Sequence, residues 1–350
     1  MKQTEISIII VNYKNPKLIQ QCVASILEFE TELDFEIIVV DNHSEDESYA
    51  QLIQVFPEII WIQCDYNSGF GRANNLGLEH ASGKYILFLN SDVVLKAPNT
   101  LGTCLSRLKS LKNHEQYVLG TNLVNEDGSY QETLRLNFPG IGRELNSNPL
   151  YILLFHRILR RNKQQKKAEQ QREAHKTETF PNWINGAFLL SSKNQLETKK
   201  LQFDPDFFLY GEDMEWAWRV NKAGMRFYHY PNSELIHIGS ASMPNEFLKR
   251  SQIVVSDWLF HRKTRGKLYL SLILSIVLKN LVFNDILHFL ARLRQKDMTE
   301  YTLQEKKFRR VHKYLLRKYG FKLLFKKTLS LEKSFFTNCY EDKTLLEKSN

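Results

Sequence analysis

The chain is short of the features that mark several protein classes. It has only four cysteines in 350 residues, Cys22, Cys64, Cys104 and Cys339. They lie far apart and at no metal-ligand spacing. That excludes a disulfide scaffold and a zinc ribbon, and it suits reduced thiols in a cytoplasmic protein. No uninterrupted apolar run reaches the roughly 20 residues needed to cross a bilayer; the nearest, Leu268–Leu278, stops at Lys279. A membrane-spanning segment is therefore not expected. The first apolar stretch, Ile6–Val11, is too short for a signal-peptide core. Neither GxGxxG nor a Gly-Lys-Ser/Thr loop occurs, which weighs against simple dinucleotide and ATPase sites. Internal repeats are absent as well.

The chain does hold enough apolar residues, 43%, for a sizeable core. Its charge is uneven. Residues 245–350 carry 23 Lys+Arg against 10 Asp+Glu, whereas residues 1–244 carry 25 against 29. A mildly acidic body with a strongly basic tail points to an anionic surface as partner, either membrane or nucleic acid.

The body alternates apolar runs with helical patterns. Ile6–Val11, Phe35–Val40, Ile59–Gln63 and Tyr85–Leu89 read as buried strands. Between them, Pro16 opens a pattern apolar at Leu18, Ile19, Cys22, Val23, Ile26 and Leu27, and a second helix is expected at about Glu47–Phe56. The glycine-rich turn Asn67–Gly77 feeds a third. This alternation predicts βαβ units, an α/β fold and a mostly parallel sheet. Residues 141–180 interrupt it. Their apolar run Leu150–Phe155 and the Arg/Lys/Gln-rich stretch Arg157–Lys176 are expected to form a partly helical insertion. Order resumes at Phe180–Leu190. Further strands are expected at Arg226–Tyr230 and Ser233–Ile238, and a helix begins at Asp213. The region 245–350 reads as helical and basic.

Ligands in open parallel sheets gather beyond the carboxyl ends of the strands. Three strand ends carry suitable groups: Asn12, Asp41 with Asp46, and Asn90-Ser91-Asp92. Each alone suits a turn or a helix cap. Together they favour a nucleotide site, with Asp92 able to hold a divalent cation against a diphosphate. The Asn67–Gly77 turn adds backbone N–H groups and Arg72 for phosphate. A second cluster, Glu212, Asp213 and Glu215, starts a helix flanked by Phe207, Phe208, Tyr210, Trp216 and Trp218. Its carboxylates suit capping, or a general base whose ionisation is tuned by apolar surroundings. His237, between two isoleucines, reads either as a core histidine or as a metal ligand.

In these ordered motifs residues 6–244 resemble the family 2 glycosyltransferases of GT-A fold, in particular the rhamnosyltransferase-like branch that builds bacterial surface polysaccharides. The likeness rests on Val11-Asn12-Tyr13, Val39-Val40-Asp41-Asn42-x-Ser44, Asn67-x-Gly69-Phe70-Gly71-x-Ala73-x-Asn75-x-Gly77 and Leu89-Asn90-Ser91-Asp92-Val93. It continues through Asn185-Gly186-Ala187, Phe208-x-Tyr210-x-Glu212-Asp213-x-Glu215-x-x-x-Arg219 and His237-Ile238-Gly239-Ser240. The resemblance implies a GT-A catalytic domain over 1–244 and inverting sugar transfer from a nucleotide diphosphate to a hydroxyl. Asp92 would bind Mn2+ or Mg2+ as the last carboxylate of the family's DxD motif. His237 matches a histidine that ligates the metal in related galactofuranosyltransferases. Asp213 matches the catalytic base, and Glu212 would orient the acceptor or the base. Asn12, Asp41, Asn67, Gly69, Arg72, Asn75 and Ser91 would line the donor side. Trp183, Asn185, Gly186 and Glu215 would lie toward the acceptor. Asn90 departs from the motif, since it stands where DxD has its first aspartate and leaves one carboxylate fewer for the metal.

The same resemblance makes dTDP-rhamnose the expected donor, with UDP-galactofuranose, UDP-glucose or UDP-GlcNAc as alternatives. The expected acceptor is a glycan or a polyprenyl-diphosphate-linked saccharide at the cytoplasmic leaflet. The tail reads as a helical subdomain, or as a peripheral dock on an anionic membrane. Two other readings use the same residues differently. In one, the chain is a noncatalytic binding subunit of this fold. In the other, its tail binds nucleic acid; the acidic body and the lack of a reading motif oppose that, so no nucleic-acid partner is expected.

Overall fold

The computed structural model describes residues 4–45, 47–146, 159–239, 245–293, 310–325 and 338–345. Asp46, the run Leu150–Phe155, Ser240 and the cations of Lys306–Arg309 lie outside the described residues. The chain divides into two units: Met1–Phe138 with Gln171–Pro244, and Pro139–Gln170 with Asn245–Asn350.

The first unit is built on an eight-stranded sheet. In chain order its main elements are β1 (Ile6–Asn12), α1 (Pro16–Phe29), β2 (Phe35–Asp41), α2 (Glu47–Val55), β3 (Ile60–Gln63), α3 (Gly69–His80), β4 (Tyr85–Asn90), β5 (Val93–Val94), α4 (Thr100–Ser110), β6 (Tyr117–Val124), β7 (Leu134–Arg135), the C-terminal end of α5 (Leu159–Lys176), β8 (Trp183–Ile184), β9 (Phe188–Ser192), α6 (Lys193–Thr198), α7 (Glu212–Lys222) and β10 (Arg226–His237). The strand order is β3-β2-β1-β4-β9-β6-β10-β5. Strands β3, β2, β1 and β4 run parallel, as does the pair β6–β10; β9 and β5 run antiparallel to their neighbours. The parallel expectation therefore holds for the N-terminal half and is broken where β9 inserts between β4 and β6.

Strand β1 is buried on both faces, which is why its sequence is a continuous apolar run rather than an alternating one. Ile6, Ile8 and Ile10 pack with Ile19, Cys22, Val23 and Ile26 of α1 on one side. Ile9 and Val11 pack with Ala73 and Leu78 of α3 on the other. Helix α3 approaches so closely that a Cβ on Gly77 would lie 2.4 Å from Ile9 Cγ2. The order β3-β2-β1-β4 places a topological switch between β1 and β4, where the chain first leaves on opposite sides of the sheet. The two expected strands at 226–230 and 233–238 are one strand, β10, whose register shifts between Tyr230 and Glu234.

The second unit is helical. It contains Ile141–Asn146 and the long run Glu246–Leu293, broken by Gly266 at φ +87°. A π-helical turn at Leu316–Gly320 and the short helix Phe321–Phe325 follow. Among the described residues one helix, Glu246–Phe283, is long and apolar enough to cross a membrane. That length runs across the break at Gly266, and a third of its most apolar stretch is buried within the protein. Its inner face buries Leu270, Ile273, Leu274, Val277 and Leu281, while Leu268, Leu272, Leu278, Val282 and Ile286 remain exposed. Asp342 accepts hydrogen bonds from Tyr314 and Tyr319 and pairs with Lys318, closing the unit's C-terminal part. All four cysteines are buried and free.

Candidate active site

Strand register brings the predicted residues together at one edge of the sheet. Asn12 pairs with Asp41 across β1 and β2, and Val11 pairs with Asn90 across β1 and β4. The C-terminal ends of three strands therefore lie side by side.

At the β1–β2 end, Asp41 is 1% exposed and fully hydrogen-bonded. One oxygen accepts from Asn12 Nδ2 at 2.7 Å and from the Ser44 hydroxyl; the other accepts from the Ser44 N–H at 2.9 Å and Gln63 Nε2 at 2.8 Å. Asn42 bridges to the next loop. Its Nδ2 donates to Asn67 Oδ1 at 2.9 Å, and its Oδ1 accepts from the Ser68 N–H at 2.7 Å. The buried Asn12 Oδ1 has no protein partner.

The β4 end carries the second group. The antiparallel pair β5–β10 sets His237 opposite Val93, beside the Asn90–Asp92 turn. His237 Nε2 lies 3.3 Å from Asp92 Oδ1 and 3.4 Å from Asn90 Nδ2. The Gly239 N–H donates to Asp92 Oδ2 at 3.0 Å, and the buried Asn90 Oδ1 has no partner. Ser91 is buried between them. Among the described residues no three His, Cys, Asp or Glu side chains converge to hold a metal. Asp92 and His237 supply two ligand groups, a carboxylate oxygen and an imidazole nitrogen. Such a mixed set fits a divalent ion such as Mn2+ whose other positions come from substrate and water.

The third group is at the start of α7. Strand β4 pairs with β9 at Leu89 and Phe188, so Gly186-Ala187 comes next to Asn90, whose N–H donates to Ala187 O at 3.0 Å. The Gly186 N–H donates to Asp213 Oδ2 at 3.1 Å, and the Met214 N–H to Asp213 Oδ1 at 2.8 Å. Burial raises the Asp213 carboxyl above its ordinary value despite these bonds. Glu212 is buried, and one of its oxygens has no partner. Burial first, then the adjacent Asp213 charge, pushes its carboxyl up to about 8. The two adjacent carboxyls titrate as a pair, each held above its ordinary value chiefly by burial.

Several expected ligands are engaged otherwise. Asn75 exchanges two hydrogen bonds with the Phe203 backbone, at 2.9 and 2.8 Å, so its amide ties down the 201–206 loop. Arg72 directs Nε to Pro205 O at 2.9 Å and Nη1 to the Tyr66 hydroxyl at 3.2 Å. Gly69 serves close packing: at φ +73°, a Cβ there would lie 2.3 Å from Phe208 O. Glu215 is buried and paired with Arg219, whose Nε lies 2.8 Å from it, so it faces a cation rather than an open acceptor side. Asn185 uses Oδ1 to accept from the Ala187 N–H at 2.9 Å. Trp183 is half-buried on β8, and its Nε1 is without a partner. Gln63 and Gln131 contact Asp41 and His237 without any sequence signal, because an isolated glutamine carries none.

A nucleotide-sugar transferase fold of GT-A type is what this sheet and its strand-end site define. Residues 7–182 match glycosyl transferase family 2. The chain belongs to that family. The match ends before Glu212, Asp213 and His237. Among curated relatives, the O-antigen biosynthesis protein RfbC of Myxococcus xanthus is 26% identical over 247 residues, 68% of this chain but 18% of that protein. The rhamnosyltransferase WbbL of Escherichia coli K12 is 26% identical over 212 residues, 58% of this chain and 72% of WbbL. Among solved structures, GalNAc-T7 with UDP, GalNAc and Mn2+ shares the fold at a TM-score of 0.50 and 13% identity, over 76% of this chain and 51% of that one.

Proposed function

We propose that the chain is an inverting, metal-dependent glycosyltransferase of bacterial surface-polysaccharide synthesis. The observation that carries this reading is the approach of His237 Nε2 to within 3.3 Å of Asp92 Oδ1 at the end of β4. The two residues are 145 positions apart in sequence and are brought together by the pairing of β5 with β10. The donor nucleotide lies along the ends of β1 and β2, where the base meets Asp41 by displacing the exposed Gln63 amide. Asn67 and Ser91 border this path.

Asp92 and His237 would hold Mn2+ or Mg2+, which when bound neutralises charge on the departing diphosphate. The protein's own groups do the rest. Gly186 and Met214 fix the Asp213 carboxylate through their N–H groups, and its raised proton affinity suits a general base. Asp213 takes the proton of the acceptor hydroxyl as that oxygen attacks the anomeric carbon. The bond to the diphosphate breaks on the opposite face, and the centre inverts. Burial and the Asp213 charge disfavour ionisation of Glu212, which limits a second negative charge beside Asp213. Trp183 and Gly186 border the acceptor.

We assign dTDP-rhamnose as donor, supported by the likeness to WbbL, with a UDP-sugar as the alternative. The acceptor is a lipid-linked saccharide at the cytoplasmic face of the membrane. The exposed stripe Leu268, Leu272, Leu278, Val282 and Ile286, together with the tail's excess of cations, supports docking on an anionic bilayer. Radiolabelled donor sugars, offered with Mn2+ and polyprenyl-diphosphate saccharides, test the reading. It predicts label in the lipid fraction from one dTDP- or UDP-sugar. Folded protein that transfers none of them would favour a noncatalytic subunit.

A further inference from the structure

We infer that Gln131 is a positioning residue that sets the tautomer of His237 and thereby selects Nε2 as the nitrogen facing Asp92. The inference rests on the metal reading above only for its consequence, not for the hydrogen-bond assignment.

The orientation of Gln131 is fixed by a group that cannot be reassigned. Its Nε2 lies 2.6 Å from the backbone carbonyl of His237, which only accepts. Nε2 must therefore be the amide nitrogen, and it also donates to Asn125 Oδ1 at 2.6 Å. Asn125 is held in turn, with Nδ2 on the Ser129 hydroxyl at 2.7 Å and its backbone N–H on Ser129 O at 2.8 Å. The remaining end of Gln131, Oε1, is an acceptor, and it sits 2.7 Å from His237 Nδ1. That contact is a hydrogen bond only if Nδ1 carries a proton. The neutral ring then presents a lone pair at Nε2.

That lone pair faces Asp92 Oδ1, a second acceptor, at 3.3 Å. Asn90 Nδ2, 3.4 Å from Nε2, is placed to donate to the same lone pair, which agrees with an Nδ1–H ring. A histidine ligand whose other nitrogen donates to an amide or carboxylate oxygen is the usual arrangement at metal centres, because it orients the ring and raises its basicity. Gln131 supplies this second contact from the hairpin after β6, and it also anchors the His237 main chain. Nothing in the order of residues along the chain pairs the two.

The experiment uses the full-length protein with 15N-labelled histidine, with the His237 signals assigned by comparison with His237→Asn. Two-bond 15N–1H correlation at a pH where the ring is neutral reports the tautomer directly. The wild type is expected to show the Nδ1–H form. Gln131→Met, which removes both ends of the amide, is expected to shift His237 toward the Nε2–H form and to weaken Mn2+ binding, read by electron paramagnetic resonance, by about 10- to 100-fold. Gln131→Glu keeps an oxygen opposite Nδ1 and is expected to retain the Nδ1–H form. An Nε2–H wild type, or a Gln131→Met protein with unchanged tautomer, overturns the inference. Should Gln131→Met fail to fold, the wild-type spectrum and Gln131→Glu still decide it. A wild type in the Nδ1–H form that binds no Mn2+ supports the assignment of Gln131 and counts against the metal reading instead.

Discussion

The Gly186 N–H donates to Asp213 Oδ2 at 3.1 Å, joining the strand-end loop before β9 to the first turn of α7. In the proposed reaction this bond aims the base. Asp213→Asn keeps the size of the side chain and an oxygen for Gly186 to donate to, but it cannot take a proton. Transfer is expected to fall by about 10²–10⁴-fold, the usual weight of a general base, with donor affinity unchanged. Single-turnover transfer alongside calorimetric donor binding checks the split; unchanged turnover would refute the assignment.

Glu212 gives a stability prediction with a defined sign. Its folded-state value of about 8 lies above the ordinary 4.5. The folded chain therefore binds a proton that the unfolded chain releases, and stability falls as pH rises from about 4.5 to 8. Glu212→Gln removes the share of this dependence that belongs to Glu212, while Asp213, also raised by burial, keeps its own. Relative to wild type, the variant is expected to gain stability steadily over that window, on the order of a few kcal/mol by pH 8. Urea denaturation at pH 5 and pH 8 measures it. An equal difference at both values would show that Glu212 ionises normally.

Gly69 tests how α3 is seated. At φ +73° it lets the Phe208 carbonyl approach the helix start and accept from the Phe70 N–H at 3.0 Å. Gly69→Ala adds a left-handed alanine and a contact that backbone atoms must move to relieve. A loss on the order of 2–4 kcal/mol is expected. A near-neutral thermal shift would mean that this loop is looser than the geometry shows.

The outer stripe of the long helix makes a separate prediction. Leu268 is 90% exposed, so replacing it costs little folded-state packing. Leu268→Glu with Leu272→Glu is expected to lower co-sedimentation with anionic vesicles severalfold and to leave thermal stability within about 1 kcal/mol. Equal co-sedimentation would sink membrane docking by this face.

What could be read in the sequence follows from local physics. Continuous apolar runs ending in polar residues marked β1, β2 and β4, and their parallel pairing carried Asn12, Asp41 and Asp92 to one edge. The antiparallel insertion of β9 was not legible, because a five-residue buried strand reads alike in either direction. Nor was the fate of Asn75 or Arg72. A motif residue in a helix looks the same whether its side chain meets a phosphate or ties down a loop. The meeting of His237 with Asp92 needed tertiary register, which here only the resemblance supplied in advance. Gln131 had no pattern at all.

Calorimetric titration with a panel of dTDP- and UDP-sugars in Mn2+, repeated in EDTA, tests the central claim most directly. The account predicts binding of one donor with Mn2+, lost in EDTA and strongly weakened in Asp92→Ala and His237→Ala. A folded protein that binds no nucleotide sugar, or binds one equally well in EDTA, would contradict a metal-dependent site at the ends of β1, β2 and β4.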